Sequence, residues 1–287
     1  MSSLKPHISS FDKSYVSSNT KHYKLYIELS NNGLKQTVFD TQNNTFIGFE
    51  AYQFSDIHND YSLVEPLKEV IANNLIYENE FEAIFIALVN NRSTLVPNAI
   101  FKADKLESFH QFNFTKQEED QFFSDQLINL SAHNIYSIPD FITDLFSNLK
   151  NVKFKHFSSA LIESSLLHAK KEKALSLIQV HILPSSFQII AIKNQKLELY
   201  NSFLYQSSED FIYYLLFILD QLDVNNEEAS ILLTGHVEKN SVIYSILYKY
   251  IKTLTFGKRP ENLKFSYIFE ETPQHFHNAL FNQFLCE

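Results

Sequence analysis

Tryptophan is absent from this 287-residue chain, which holds one cysteine, one methionine, four glycines and seven prolines. With Cys286 as the single cysteine no intrachain disulfide can form, which is compatible with the cytoplasmic location expected here. Four glycines leave room for few phosphate loops, because close approach of backbone to a phosphate usually needs a residue without Cβ. Long apolar runs are missing too. The most apolar stretch, "FIYYLLFIL" (Phe211–Leu219), is nine residues between acids, whereas a membrane span needs about 20. It reads as a buried helix, and no membrane span is expected. Basic residues are outnumbered, 24 Lys and Arg against 33 Asp and Glu, for a formal net charge of −9. That balance disfavours a broad footprint for nucleic acid or acidic lipid, and no nucleic-acid partner is expected. The chain has no Gly-x-Ser-x-Gly elbow, Walker loop, dinucleotide fingerprint or Cys-pair zinc motif. Its first residues are polar and lack the apolar core of a secretory signal, so residues 1–20 read as a flexible leader.

What is present suits a globular protein with a large core: 45% hydrophobic residues, 20% charged, 27 Phe and 15 Tyr. The length fits one large domain or two ordinary ones. Three strand-like runs open the first half, His22–Leu29, Leu34–Thr41 and Phe46–Phe54, with Asn31, Asn32 and Gly33 and then Gln42, Asn43 and Asn44 in the turns. A helix follows, with Ser62 and Glu65 as a capping box and Leu63, Leu67, Val70, Ile71 and Leu75 as its apolar face. Glu82–Val89 reads as a strand buried on both faces. Residues 90–137 are irregular, with helical character in "ADKLESFHQF" and one or two strands in "DQLINLSAHNIYSI". A helix from Pro139, a strand in "NVKFKHF" and a helix over Ser158–Lys171 complete this half.

The second half repeats the plan. Three strands, Ala174–Ile182, Ser186–Asn194 and Lys196–Tyr205, lead into a helix over Glu209–Leu222 with Ser207 and Asp210 as its cap. "EASILLTGH" (Glu228–His236) is a strand ending in a glycine. Asn240–Ile251 is a helix with Val242, Ile246 and Tyr250 on one face, "NLKFSYIF" a strand, and Thr272 and Pro273 start a last helix that buries Phe276, Leu280 and Phe284. The order βββ-α-β-α-β-α is clear in this half and longer in the first, an internal repeat at the level of the fold.

A three-stranded hairpin unit followed by alternating helices and strands, occurring twice, resembles the actin-like ATPase fold of two ribonuclease-H-like lobes. The chain resembles an uncharacterised bacterial family of that superfamily (Bacteroidetes-type, a domain of unknown function) and, more distantly, the pilus-assembly protein PilM and its relatives. The resemblance covers nearly everything after residue 20. It implies an α/β protein with lobes over residues 21–157 and 158–287, each with a mixed sheet in which three antiparallel strands lead into βαβ units.

Three motifs of such proteins carry the functional reading. The first is a strand ending in Asp-x-Gly, then a turn and a Lys; in "IELSNNGLK" Glu28 falls at the acid, Ser30 at the glycine and Lys35 at the lysine. In the family the acid organises a Mg²⁺-bound water near the γ-phosphate. Glu28 keeps the charge on a longer side chain, and Ser30 brings a Cβ to the point of approach. The second motif is the same feature in the other lobe. "VHILPSS" puts His181 at the acid, Leu183 at the glycine and Pro184 after it, where proline removes an amide donor and an imidazole replaces the hard oxygen that Mg²⁺ prefers. The third is a strand-end glycine pair near the adenosine. "LLTGHVE" keeps Thr234 and Gly235 and has His236 at the second glycine. As ordinary structure, these three stretches read as an Asn-Asn-Gly hairpin, a plain turn and a strand-to-helix turn.

The resemblance and its departures imply a non-catalytic or weakly nucleotide-binding actin-like protein acting as a binding or assembly component, with no cofactor. A protein partner or self-association fits the aromatic load of two helices, Tyr213, Tyr214 and Phe217 on one and Tyr244, Tyr248 and Tyr250 on the other. The alternative is a divergent ATPase or small-molecule kinase using ATP and Mg²⁺, with Glu28 organising the metal. It expects Glu28, Ser30, Lys35, His181, Gly235 and His236 around an interlobe cleft. A nuclease would need further acids beside Glu28; Glu82, Asp140 and Asp144 are available, with no spacing that ties them to it. His275 and His277 are two apart, which on a helix points them to different sides, so no metal site is expected. "HAKKEK" (His168–Lys173) reads as a solvated helix end.

Overall fold

In both halves the alternation of apolar and polar side chains decides the strand pairing, and the result is the same five-strand order twice. The computed structural model describes residues 4–55, 57, 59–117, 119–225 and 229–287. Positions 1–3 of the expected leader and Glu228 of an expected strand lie outside them. The chain divides into two compact units. The first runs through Ala160 and takes in Pro260–Glu271 and Gln283–Glu287; the second comprises Leu161–Arg259 and Thr272–Asn282.

In the first unit, β1 (Ile8–Phe11), β2 (Tyr23–Ser30), β3 (Gly33–Asp40), β4 (Thr45–Gln53), α1 (Val64–Asn73) and β5 (Ala83–Leu88) are followed by β6 (Ser93–Pro97), α2 (Leu106–Gln111), β7 (Asp120–Leu127), β8 (Ala132–Pro139), α3 (Asp140–Leu145) and β9 (Val152–His156). The main sheet has the order β1-β4-β3-β2-β5-β9, antiparallel as far as β2 and parallel from β2 to β9. Strands β6, β8 and β7 make a separate antiparallel sheet. One face of β2, with Tyr23, Leu25, Ile27 and Leu29, packs in a core with Leu67 and Val70 of α1 and Ile142 of α3. The opposite face stacks aromatics, Tyr26 on Phe85 at 5.4 Å between ring centres and Phe46 on Phe265 at 5.0 Å.

Helix α4 (Phe157–Lys171) contains the boundary between the units. The second unit continues with β10 (Ser176–Ile182), β11 (Ser186–Lys193), β12 (Lys196–Leu204), α5 (Ser208–Gln221), β13 (Ser230–Gly235), α6 (Val242–Tyr250), β14 (Thr253–Phe256) and, later, α7 (Asn278–Phe281). The sheet order is β12-β11-β10-β13-β14, antiparallel to β10 and parallel beyond it. Ile178, Val180 and Ile182 of β10 share a core with Leu215 and Leu219 of α5 and Leu247 of α6. The other face of β10 carries Gln179 and His181, and Ser165 of α4 donates to Gln179 Oε1 at 2.9 Å. The mixed sheets of the expected fold class are therefore present.

Several local expectations are corrected. Ile8–Phe11, inside the expected leader, is a strand: Phe11 pairs opposite Gly48, and a Cβ at Gly48 would lie 2.7 Å from the Phe11 ring, so the glycine makes room for that side chain. Ser62 does not cap α1. The chain enters through a 3₁₀ turn over Asp60–Leu63, which Asn59 caps by accepting from Ser62 N. Leu75 falls beyond the end of α1 and is 70% exposed. Of the expected apolar face of α6 only Ile246 packs against the core; Val242 and Tyr250 are exposed, and Leu247 is the fully buried residue. The second parallel strand after α5 is β14, a four-residue segment too short to stand out in the sequence. "NLKFSYIF" instead gives the two-residue strand Lys264–Phe265, which joins β4 of the first unit. The last helix shrinks to Asn278–Phe281; Phe276 precedes it, and His277 before it holds a left-handed φ of 55°.

Candidate functional site

Glu28, Ser30 and Lys35 come together in the β2–β3 hairpin. Ser30 pairs with Gly33 and Glu28 lies directly across from Lys35. Glu28 is only 8% exposed, and its neighbour on the other side, in β5, is Ala87. Burial pushes its carboxyl above the ordinary range, with the Lys35 charge pulling the other way. No second acid stands beside it on β5, whose sequence is AIFIAL, so a two-metal arrangement finds no partner there. The turn is closed by its own groups: Ser30 Oγ accepts from Asn32 N at 3.2 Å and donates to Gly33 O at 3.2 Å. Gly33 has φ +150°, and a Cβ on it would lie 2.0 Å from Tyr52 O. This glycine serves the close passage of β3 past β4.

In the second unit His181, Gly235 and His236 meet at the ends of β10 and β13. His181 pairs with Gln188 on β11 and Thr234 on β13. It is 3% exposed, and its Nδ1 lies 3.0 Å from Thr234 Oγ1, which also accepts from Gln179 Nε2 at 3.2 Å. The following turn is pinned internally. Leu183 N donates to Ser186 O at 2.9 Å, Leu183 O accepts from the Tyr205 hydroxyl at 2.7 Å, and Pro184 has no amide hydrogen to give. Gly235 holds φ +84°, its N–H donates to His275 O, and a Cβ would lie 2.2 Å from Ile182 O. His236 N donates to Ile182 O, and its exposed ring stacks on Phe276 at 5.4 Å. The strand-end glycine is thus required by the chain itself.

A cavity of about 430 Å³ opens beyond the carboxyl ends of β13 and β14, lined by Glu238, Lys239, Phe256, Lys258, Gln274 and His275 among others. Neither Gly235 nor His236 is part of its lining. Open α/β sheets commonly bind ligands at this end. His275 is held by Val237 O at 2.6 Å and lies tilted against Phe256 at 4.3 Å between ring centres, and burial lowers its imidazole pKa.

Sequence reasoning missed the most connected polar cluster, in the first unit. Buried Asp125 on β7 accepts from Ser159 Oγ at 2.6 Å, His156 N at 2.9 Å and Tyr136 Oη at 3.0 Å, with Lys155 Nζ at 3.6 Å. Asn134 donates to both Ser158 and Ser159, each at 2.9 Å. The His156 ring bridges Ser158 Oγ at 2.6 Å and Asn90 Oδ1 at 3.1 Å, and burial holds its pKa at about 3, a neutral imidazole. Ser158 has no exposed surface, and this chain of hydroxyl and imidazole ties β7, β8, β9 and α4 together. Only the alternation in "FFSDQL", which turns Asp125 to one side of its strand, hinted at it. Among the described residues, no three His, Cys, Asp or Glu side chains form a metal-holding group, and no helix is long and apolar enough to cross a membrane.

Comparison with known proteins places these features. Residues 12–254 match a family described as protein of unknown function, DUF3822. No curated protein matches the chain. A solved structure from Bacteroides thetaiotaomicron, described as a protein with actin-like ATPase fold and unknown function, superposes with a TM-score of 0.74 at 23% identity, covering 85% of this chain and 93% of that one. A PilM–PilN type IV pilus biogenesis complex aligns with a TM-score of 0.57 at 14% identity, covering 92% of this chain and 96% of the matched one.

Proposed function

The chain belongs to the DUF3822 family and has the actin-like ATPase fold, and from that premise we propose that it is a non-catalytic member of that fold that works as a binding or assembly component. The observation that carries this reading is the use made of the two hairpin turns. In the first, the Ser30 hydroxyl accepts from the Asn32 amide, a donor that a phosphate oxygen would want. In the second, Pro184 lacks an amide and the neighbouring Leu183 groups are bonded within the turn. Phosphoryl transfer depends almost entirely on positioning and charge stabilisation, so turns closed on themselves remove the apparatus. Burial also raises the Glu28 carboxyl above its ordinary range, which disfavours it as a metal organiser. The PilM structure, solved as a complex with PilN, gives a precedent for this fold in protein assembly. ATP turnover with Mg²⁺, compared between the native chain and Glu28→Ala, tests the reading. Equal background rates are expected; hydrolysis that Glu28→Ala abolishes would overturn it.

The cavity beside Lys239 and Lys258 favours a second reading, weak nucleotide binding without hydrolysis. It predicts ATP or ADP binding that Lys258→Ala weakens while turnover stays absent. A divergent ATPase with Glu28 organising Mg²⁺ is the remaining alternative, and the same assay decides it.

A further inference from the structure

We infer that the outer face of α5 and α6 in the second unit is a docking surface for a second copy of this chain. Both helices pack their inner faces into one core with β10 and β13, so their outer faces form a continuous surface. That surface carries large apolar side chains in water: Tyr213 and Phe217 on α5 are 64% and 49% exposed, and Val242 and Tyr248 on α6 are 70% exposed each. The spacing is deliberate in pattern. Tyr213 and Phe217 are one turn apart, with Asp220 continuing the stripe. Exposed aromatics grouped on adjacent elements mark interfaces more than scattered single residues do.

The charges identify the occupant. Helix α5 carries acids at both ends, Glu209 and Asp220, and no Lys or Arg along its length. Before helix α6 the exposed pair Glu238 and Lys239 offset each other, while its C-terminal end carries bases, Lys249 within it and Lys252 beyond it, with no acid within the helix. These charged residues are all exposed. The exposed apolar side chains lie between the acids on α5, and on α6 at Val242 and Tyr248, either side of Ser245. The C-terminal ends of the two helices thus carry opposite signs. A twofold axis that lays α5 of one copy alongside α6 of the other, running in the same direction, pairs Asp220 with Lys249 and sets the Tyr213–Phe217 stripe against Val242 and Tyr248. It uses the same patch on both copies, as an isologous interface requires. The face is two helices wide, which fits a weak, reversible dimer.

This inference deepens the assembly half of the reading above and leaves its nucleotide half untouched. A monomer that also fails to hydrolyse ATP removes the dimer alone; a dimer that hydrolyses ATP removes the lost-ATPase reading alone. Sedimentation velocity of the full chain over a range of concentrations is the test. A monomer–dimer equilibrium is expected. Tyr213→Ser with Phe217→Ser should raise its dissociation constant by about tenfold or more with unchanged circular dichroism. Asp220→Lys and Lys249→Glu should each weaken the dimer, and the double variant should recover it, a rescue that a merely structural role would not give. A monomer at every concentration, or a dimer indifferent to all four substitutions, would overturn the proposal.

Discussion

Glu28 and His181 occupy comparable places in the two units. Each lies near the end of the first strand of the same five-strand order, on the sheet face opposite the main helix-packed core, and each is buried. Their neighbours differ. Glu28 is flanked by Lys35 and Ala87, a charge and a methyl, while His181 is flanked by Gln188 and hydrogen-bonded to Thr234. The difference extends to whole sheets. Buried acids stand on the strands of the first unit at Glu28, Asp40 and Glu50, with Asp125 on its smaller sheet; the buried polar residues on the strands of the second are Gln179, His181, Gln188 and Thr234. One topology can thus carry buried carboxylates on its strands or amides, hydroxyls and an imidazole. In the second unit His181, at the position comparable to Glu28, is part of the packing.

The largest effect is expected where the first unit depends on charge. Asp125→Ala leaves Lys155, Ser159 and the His156 amide without this acceptor, while Tyr136 keeps Phe154 O, and should cost about 3–5 kcal/mol in urea denaturation. Thr234→Val in the second unit, which breaks bonds to Gln179 and His181, should cost about 1–2 kcal/mol. Equal losses would erase the contrast.

Acid sharpens it next. Folded His156 stays neutral down to about pH 3, while in the unfolded chain it takes up a proton near its ordinary 6.5. The unfolded state therefore binds more protons in between. The stability this group contributes is complete above about 6.5 and is lost progressively as pH falls toward about 3. Asp125 opposes this, since burial raises its carboxyl and folding then favours its protonation. Thermal melts of the native chain and His156→Asn between these limits should converge as pH falls; parallel curves would contradict the burial assigned to the imidazole.

The two glycines should behave alike, which tests the part of the comparison where the units agree. Gly33→Ala and Gly235→Ala each drive a Cβ against a carbonyl oxygen, Tyr52 O and Ile182 O. Each should cost about 1–3 kcal/mol. A variant of unchanged stability would mean that the glycine does not serve the chain's own close approach.

The smallest effect is at Glu28. Because burial raises its pKa, ionisation works against the fold as pH rises through the carboxylate range. Glu28→Gln should be slightly more stable than the native chain at neutral pH, by up to about 1 kcal/mol, with the difference closing in acid. A loss of stability would mean that the charge is held by a partner that matters.

Much of the architecture was legible because its signals are local. Alternation in "HYKLYIEL" and "SFQIIAIK", the continuous run Glu82–Val89 and the Ser207–Asp210 cap correspond to β2, β11, β5 and α5, with boundaries within about two residues, and that capping box is formed. What was not legible depends on distant partners. Ile8–Phe11 becomes a strand through Gly48, 37 residues or more away, and Lys264–Phe265 through β4. The face of α6 was misjudged because apolar residues occur all around that helix, so periodicity could not tell inward from outward. For the candidate site, the sequence identified the turns and their departures from a phosphate loop. It did not give the internal bonds that occupy them, since Ser30 and Tyr205 act through their side chains on backbone atoms of a turn. The Asp125–His156 network was hidden for the same reason, its members being spread from Asn90 to Ser159.

Isothermal titration of the native chain with ATP and Mg²⁺, paired with phosphate release on the same sample, tests the proposed absence of ATPase chemistry most directly. Two turns closed by their own hydroxyl, carbonyl and proline groups predict binding no tighter than about millimolar and no release above background. Micromolar binding with steady phosphate release, both lost in Glu28→Ala, would contradict it.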